Sequence, residues 1–200
     1  MSSPSSPAIS PVSPRSHPAR DALRWLLVLP AFPLSGLLVT AVIGPIDAPL
    51  PALGGGFVVG LAVGAAQLLG LRGRARTLPW LLASGVGGAL GLLAGSTLVG
   101  HGTTLPALAV QGLLTGALLG SAQALALPRD ARRALWAGGV TLLWGLGWVV
   151  TTLAGIDVER QYAVFGASGA LIATLGVAIL GAVTLDRTPV TAGSTESATS

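Results

Sequence analysis

The chain has 200 residues, of which 52 % are hydrophobic and only 9 % charged, and its mean hydropathy is +0.77. A soluble domain of this length needs a far more charged surface, so the composition excludes most soluble classes. The net charge is +4, but the arginines are dispersed among apolar segments, so no nucleic-acid partner is predicted. The chain contains no cysteine, which excludes disulfides, thiolate nucleophiles and cysteine metal sites.

The two ends of the chain differ in composition from its middle. Residues 1–22 are rich in Ser and Pro and residues 188–200 in Ser and Thr, so neither end can bury enough apolar surface to fold. Both are predicted to be disordered cytoplasmic tails around a membrane domain over residues 23–187. The first apolar run follows arginines, as in a secretory signal, but the spacing from Trp25 to Gly36 returns later in the chain and favours a retained helix.

Six charge-free apolar runs make up the middle of the chain. Each has about 19 residues or more, which at about 1.5 Å of rise per residue crosses a hydrocarbon core of about 30 Å. The runs lack the alternation of barrel strands, so helices are predicted. The predicted spans are 25–44, 53–71, 79–100, 105–127, 134–156 and 161–185.

An internal repeat with a spacing of about 56 residues relates these spans. The second and fourth spans share three glycines and a glutamine, each shifted by 56, and the alternate spans share a tryptophan followed eleven residues later by a glycine. The residues are Gly56, Gly60, Gly64 and Gln67; Gly112, Gly116, Gly120 and Gln123; Trp25 and Gly36; Trp80 and Gly91; Trp136 and Gly147. The predicted fold is therefore all-α: six transmembrane helices in three tandem αα-hairpin repeats with a pseudo-threefold arrangement.

The repeated glycines and glutamines form the candidate polar or helix-packing site. They fall at i, i+4, i+8 and i+11, on one helix face, where glycines let another helix approach closely. The candidate residues are Gln67, Gln123, Gly60, Gly64, Gly116 and Gly120. The third repeat keeps only Gly176, with Ser168, Ile172 and Ile179 in the other positions, so most of its glycine groove is lost.

Two interpretations of the glutamines stay open at this stage. Gln67 and Gln123 lie five and six residues before the next arginine, at a shallow depth in the membrane. The favoured interpretation is a hydrogen bond to a neighbouring helix, since an unpaired amide in hydrocarbon costs several kcal/mol. The other is a pair of amides that line a polar site open to the cytoplasm.

The arginines predict the orientation. Placing the N-terminus in the cytoplasm puts ten of the eleven arginines on that side and only Arg160 outside. We therefore expect a multi-pass protein of the inner or plasma membrane with both termini cytoplasmic and with Trp25, Trp80 and Trp136 at the inner interface. The candidate contacts to anionic lipid are Arg72, Arg74, Arg76, Arg129, Arg132 and Arg133. His101 is predicted to be a solvated loop residue.

A catalytic interpretation is weak. Residues 166–169 read GASG, which resembles the nucleophile motif of rhomboid intramembrane proteases, but no histidine follows Ser168. His17 and His101 lie upstream, so the serine would lack its base. No carboxylate lies within any span, so no metal, cofactor or proton-coupled site is predicted.

The segments at 60–71 and 116–127, with arginine-bearing turns and a tryptophan opening the next helix, resemble a group of small uncharacterised polytopic bacterial membrane proteins with repeated GxxxGxxQ hairpins. The absence of lysine agrees with GC-rich bacterial coding. The resemblance implies no activity. We therefore expect a non-catalytic structural or regulatory membrane subunit that binds lipid, a protein partner or a second copy of itself. The alternative is a carrier or channel for a neutral or apolar small molecule; a rhomboid-like protease is remote.

Overall fold

A computed structural model describes residues 23–129 and 131–185, and these residues form an all-helical bundle. The helices are α1 (Ala31–Val42), α2 (Pro49–Leu71), α3 (Thr77–Leu98), α4 (Leu105–Ala126), α5 (Arg133–Leu153) and α6 (Ala167–Leu185). Counting a helical turn that leads into α1 from Leu23, six helices of 19 to 23 residues are long and apolar enough to cross a membrane. The two predicted tails, 1–22 and 188–200, lie outside the described residues.

Consecutive helices pack against one another in chain order, and α1 also touches α6. Because the connections are short, neighbouring helices run antiparallel, and the connections gather at two ends of the bundle. Residues 72–76, 127–129, 131 and 132 lie at one end with most of the arginines, called the arginine end below. Residues 43–48, 99–104 and 154–166 lie at the opposite end, called the loop end.

Glycines bring α2 close to α3. A Cβ atom added to Gly56 would collide with the carbonyl group of Gly88, and one added to Gly60 would collide with the carbonyl oxygen of Ser84. The two backbones are therefore in direct contact, which only glycine permits at these positions.

The same geometry recurs 56 residues later between α4 and α5. A Cβ atom on Gly112 would lie 2.7 Å from the carbonyl oxygen of Trp144, and one on Gly116 would lie 2.8 Å from that of Val140. Both hairpins thus use glycines of the repeated motif to hold two helices at backbone contact.

The first span is irregular because two prolines interrupt it. Pro30 and Pro33 have no N–H group to donate, and residues 27–30 form turns with bonds such as Leu29 N to Leu26 O and Ala31 N to Val28 O. Regular helix begins only at Ala31. This leaves α1 shorter than its neighbours.

The last helix begins at Ala167, six residues after the predicted start of the span at 161. Gly155 and Gln161 both have positive φ, of 75° and 53°, and a 3₁₀ turn over Val158–Arg160 lies between them. Left-handed backbone cannot continue a helix, so the chain turns at both residues before α6 begins.

The tryptophans predicted at the inner interface lie near the arginine end of the bundle, and two of the three point into its interior. Trp80 and Trp136 are fully buried inside the bundle, and each indole N–H donates to another helix. Trp25 is partly buried against Gly70 of α2 and Gly181 of α6. An interior hydrogen bond satisfies the indole donor as well as the membrane interface would.

Candidate functional site

The two glutamines of the repeated motif meet inside the bundle. Nε2 of Gln123 donates to Oε1 of Gln67 at 2.8 Å, which joins α4 to α2 directly. These helices are separated in the chain by α3. Gln67 is 2 % exposed and Gln123 is completely buried, so the hydrogen bond lies in the bundle interior.

Two further side chains complete the hydrogen bonds of Gln123. Its Nε2 also donates to Oγ of Ser84 on α3 at 2.9 Å, and its Oε1 accepts from Nε1 of Trp136 on α5 at 3.2 Å. The amide of Gln123 therefore uses both its donors and its acceptor, and it links four helices.

Trp80 extends this group of residues. Its Nε1 donates to the carbonyl oxygen of Gly64 at 3.0 Å, and its ring meets that of Trp136 edge-on with the centroids 5.6 Å apart. The set formed by Gln67, Trp80, Ser84, Gln123 and Trp136 is called the amide cluster below. It lies in the half of the bundle nearer the arginine end.

The amide cluster suits packing better than chemistry. None of its side chains ionises near neutral pH, so it has no general acid or base, and four of its five members are completely buried. In a low-dielectric interior such satisfied hydrogen bonds fix the positions of the helices that carry them. The cluster holds α2, α3, α4 and α5 in one register.

The four candidate glycines lie where they allow these hydrogen bonds to be short. Gly60 contacts the backbone of α3 at Ser84, and Gly64 faces the Ser84 side chain. Gly116 and Gly120 contact α5 in the same way, at Val140 and Ala137. The structure therefore gathers all six candidate residues at two seams, α2 with α3 and α4 with α5.

The candidate lipid-binding arginines divide into two kinds. Five of them, Arg72, Arg74, Arg76, Arg129 and Arg132, are exposed at the arginine end. Arg133 is half-buried, and its guanidinium donates to the carbonyl oxygens of Leu125 and Leu127. It therefore caps the C-terminal end of α4, where carbonyls lack helical partners and a cation is favoured.

The three connections at the loop end are joined by His101. Its Nδ1 bonds the carbonyl oxygen of Ile46 at 3.2 Å, and its own carbonyl accepts from Nε2 of Gln161 at 3.0 Å. Ile46 N in turn donates to Gln161 O at 2.9 Å. His101 is half-buried, so the expectation of a solvated histidine is wrong. Its Nδ1 donates the hydrogen bond, because the carbonyl oxygen of Ile46 can only accept.

Charged groups at the loop end pair locally. The hydrogen bond from Nε of Arg160 to Asp157 Oδ2, at 2.9 Å, raises the pKa of Arg160, and the nearby Tyr162 acts in the same direction. Both partners of the ion pair are largely exposed, so it contributes little to stability.

Ser168 of the GASG segment does not sit in a catalytic arrangement among the described residues. Its Oγ is buried without a hydrogen-bond partner there. His17 lies outside the described residues. Gly166 N donates to Oγ1 of Thr151 at 3.0 Å, and a Cβ on Gly169 would collide with the carbonyl oxygen of Gly147. The small residues of GASG thus serve close packing of α6 on α5.

The sequence predicts a site at the glutamines but does not identify their two further hydrogen-bond partners, Ser84 and Trp136. Ser84 has Val140 at the equivalent position of the next repeat, so the repeat pattern did not single it out. The repeat includes Trp80 and Trp136, but it predicts that they lie at the membrane interface. One feature of the sequence does indicate a shared site: Trp80 and Ser84 lie four residues apart, on one face of α3.

Comparison with protein-family models, with curated proteins and with solved structures finds no match to this chain. The geometry described above therefore carries the argument about function.

Proposed function

We propose that the protein is a non-catalytic structural or regulatory membrane subunit that binds anionic lipid or a partner through its arginine end. The observation that carries the proposal is the hydrogen bond between Gln67 and Gln123, together with the closed hydrogen bonding of Gln123. Two buried amides of the inner spans are therefore hydrogen-bonded to each other. A ligand would have to break these bonds before it could use them.

A three-hairpin architecture with pseudo-threefold symmetry is part of this proposal. Besides the repeated motif, it is supported by three glycines that end α1, α3 and α5 with positive φ: Gly44 at 98°, Gly100 at 61° and Gly155 at 75°. Their spacings are 56 and 55 residues. Each provides the left-handed residue that commonly follows a helix C-terminus.

The proposed orientation places the arginine end in the cytoplasm of a bacterial cell, at the inner or plasma membrane, with both termini on that side. Within the described residues that end carries seven arginines, whereas the loop end carries Arg160 with Asp47, Asp157 and Glu159. The exposed Arg129 and Arg132 are suited to an anionic lipid headgroup or to an acidic surface of a partner. The lipid bilayer itself is the first expected partner, and a second copy of the chain is another.

A carrier for a neutral molecule and a rhomboid-like protease are the competing functions. The carrier requires Gln67 and Gln123 to face a path, and their burial and mutual hydrogen bond do not favour it. The protease requires a base beside Ser168, and the Ser168 Oγ has no hydrogen-bond partner among the described residues. Neither has a specific observation in its support.

Native mass spectrometry of the full chain with added phosphatidylglycerol or phosphatidylcholine tests the proposal. We expect preferential retention of phosphatidylglycerol, reduced roughly fivefold for each exposed arginine removed in Arg129→Gln and Arg132→Gln, since each contributes about 1 kcal/mol toward anionic lipid. Arg160→Gln, at the loop end, is the matched control and should leave retention unchanged.

Two outcomes would contradict the proposal. Equal retention of both lipids by the original chain would remove the role of the arginine end. Co-purification of a neutral metabolite that stabilises the chain, with the response lost in the folded Gln67→Leu/Gln123→Leu variant, would establish the carrier instead.

A further inference from the structure

The seam between α6 and α1 differs from the two seams that carry the glycine motif. On α6 the motif positions hold Ile172 and Ile179 in place of glycine or glutamine, and these are 38 % and 66 % exposed. At these two positions α6 has no close helix neighbour, whereas Gly176 between them lies against Leu143 of α5. Trp25 joins the helices only near Gly181, toward the arginine end.

An open groove of about 170 Å³ lies on this side of the bundle, toward the loop end. One wall is α1, and the other is the segment that precedes α6. The lining residues are Pro33, Gly36, Leu37, Ile156, Tyr162, Val164, Phe165 and Gly166. Apart from the tyrosine phenol, every side chain in the lining is apolar.

The groove wall is firmly built. The Phe165 ring stacks on Phe32 with centroids 5.0 Å apart and meets Trp144 edge-on at 5.3 Å. A Cβ atom on Gly36 would lie 3.1 Å from Cγ1 of Val164, so α1 already sits against the opposite wall at the base of the groove. The opening cannot close by moving α1 inward, because those contacts are already tight.

We propose that this groove binds one acyl chain of a bilayer phospholipid in an ordered position. The occupant follows from the size, the lining and the location of the groove. A volume of about 170 Å³ has room for part of a single hydrocarbon chain but not for a helix, which is about 10–12 Å across with its side chains. Water gains no partners from the apolar lining, and a void would forfeit dispersion contacts.

Tyr162 marks the polar end of this site. It lies in the loop-end segment, two residues after the exposed Arg160. A tyrosine at this position has an apolar body and a polar tip, which suits the boundary between acyl chain and headgroup. The chain would therefore enter the groove from the loop end and run between α1 and the 162–166 segment.

Photocrosslinking tests the site. The full chain is reconstituted in nanodiscs with phosphatidylcholine that bears a diazirine on one acyl chain, and the adducts are mapped by peptide mass spectrometry. This zwitterionic probe makes the result independent of the arginine end and so of the proposed function. We expect adducts concentrated at residues 33–37 and 162–166, above the level on exposed residues such as Leu142 and Leu153.

A groove-filling variant and a matched control sharpen the test. Gly166→Leu points its side chain near the groove, where an added Cβ makes ordinary contacts of 3.4 Å with Ile156 and Thr151. Gly138→Leu makes the same change where a Cβ meets nothing within 4 Å. Groove adducts should fall to the background of the exposed helix faces in Gly166→Leu and stay unchanged in Gly138→Leu. Leu37→Trp fills the groove from α1, where the side chain is 62 % exposed, if Gly166→Leu fails to fold.

Two results would overturn the inference. Adducts spread evenly over the exposed faces of all six helices would mean that the groove holds no ordered chain. Oxidative crosslinking of two chains through Leu37→Cys, in a protein that has no other cysteine, would mean that a second copy covers the groove.

Discussion

The seams of the bundle differ sharply in how closely their helices approach. Between α2 and α3, and again between α4 and α5, motif glycines bring backbone against backbone, and the amide cluster joins both pairs. Along α6 the same motif positions carry isoleucines that remain exposed, and a groove lies beside α1. The comparison teaches that glycine at these positions determines how closely a neighbouring helix can approach.

The amide cluster depends on the glycine contacts. Gln123 reaches Gln67 and Ser84 on two other helices only because Gly60, Gly64 and their counterparts on α4 leave no side chains between the backbones. In hydrocarbon the hydrophobic effect does not drive helices together, so association relies on dispersion contacts and interhelical hydrogen bonds. In the third repeat Ser168 and Ile172 replace two of the three glycines, and Ile179 replaces the glutamine.

The largest expected effect comes from filling a close seam. In Gly60→Ala the new methyl group would collide with the Ser84 carbonyl oxygen, so we expect the free energy of unfolding to fall by about 2 kcal/mol, since overpacking outweighs the better helix propensity of alanine. Thermal unfolding in detergent measures it. A Gly60→Ala variant as stable as the original would show that α2 and α3 are not in backbone contact.

The matched change in the third repeat should cost far less. A Cβ on Gly176 would meet only the side-chain end of Leu143, which can turn aside. We expect Gly176→Ala to change the free energy of unfolding by less than about 0.5 kcal/mol. A loss as large as that of Gly60→Ala would mean that α6 packs on α5 at Gly176 as tightly as α2 packs on α3 at Gly60.

The amide cluster should show the next largest effect. Gln123→Leu removes three hydrogen bonds and leaves the Trp136 N–H unpaired, so we expect a loss of about 1–2 kcal/mol, whereas Gln67→Leu should cost about half as much. The double variant then gives a coupling energy of about 0.6–1.7 kcal/mol, the range of interhelical hydrogen bonds in membranes. Strict additivity of the two changes would contradict direct bonding.

At the arginine end, substitutions of two adjacent arginines should differ in their effect on stability, because one caps a helix and the other is a candidate lipid contact. Arg133→Gln loses the cap on α4 and should destabilise the bundle by about 1 kcal/mol. Arg132→Gln should leave unfolding unchanged, because that side chain is exposed. Calorimetry of both variants in the same detergent is the measurement, and equal stability of the two would contradict the cap.

A smaller loss than at the arginine cap is expected at the loop end. His101→Phe removes the ring bond to Ile46 but keeps an aromatic of similar size, so we expect a loss of about 0.5–1 kcal/mol. Hydrogen exchange at residues 43–48 should rise with it. Unchanged exchange there would show that the histidine does not hold the loops together.

Much of the fold could be predicted from the sequence because bilayer thickness fixes the length of an apolar helix. The six spans followed from this constraint. Long-range contacts could not be predicted in the same way: that Gln67 and Gln123 bond each other depends on how α2 and α4 approach around α3, which a 56-residue spacing does not specify. The start of α6 was missed because Gln161 to Gly166 are apolar enough to extend the span, while the positive φ of Gln161 is set by its bonds to neighbouring loops.

The central claim, that the paired glutamines hold helices together and do not line a path, is tested most directly by thiol accessibility. The chain has no cysteine, so Gln67→Cys and Gln123→Cys each introduce a single thiol, with Arg132→Cys as the exposed control. The protein in nanodiscs is treated with a small, charged, water-soluble methanethiosulfonate reagent. The account predicts rapid labelling of the control and none at positions 67 and 123 until the protein is denatured. Rapid labelling at either glutamine position in the folded protein would contradict it.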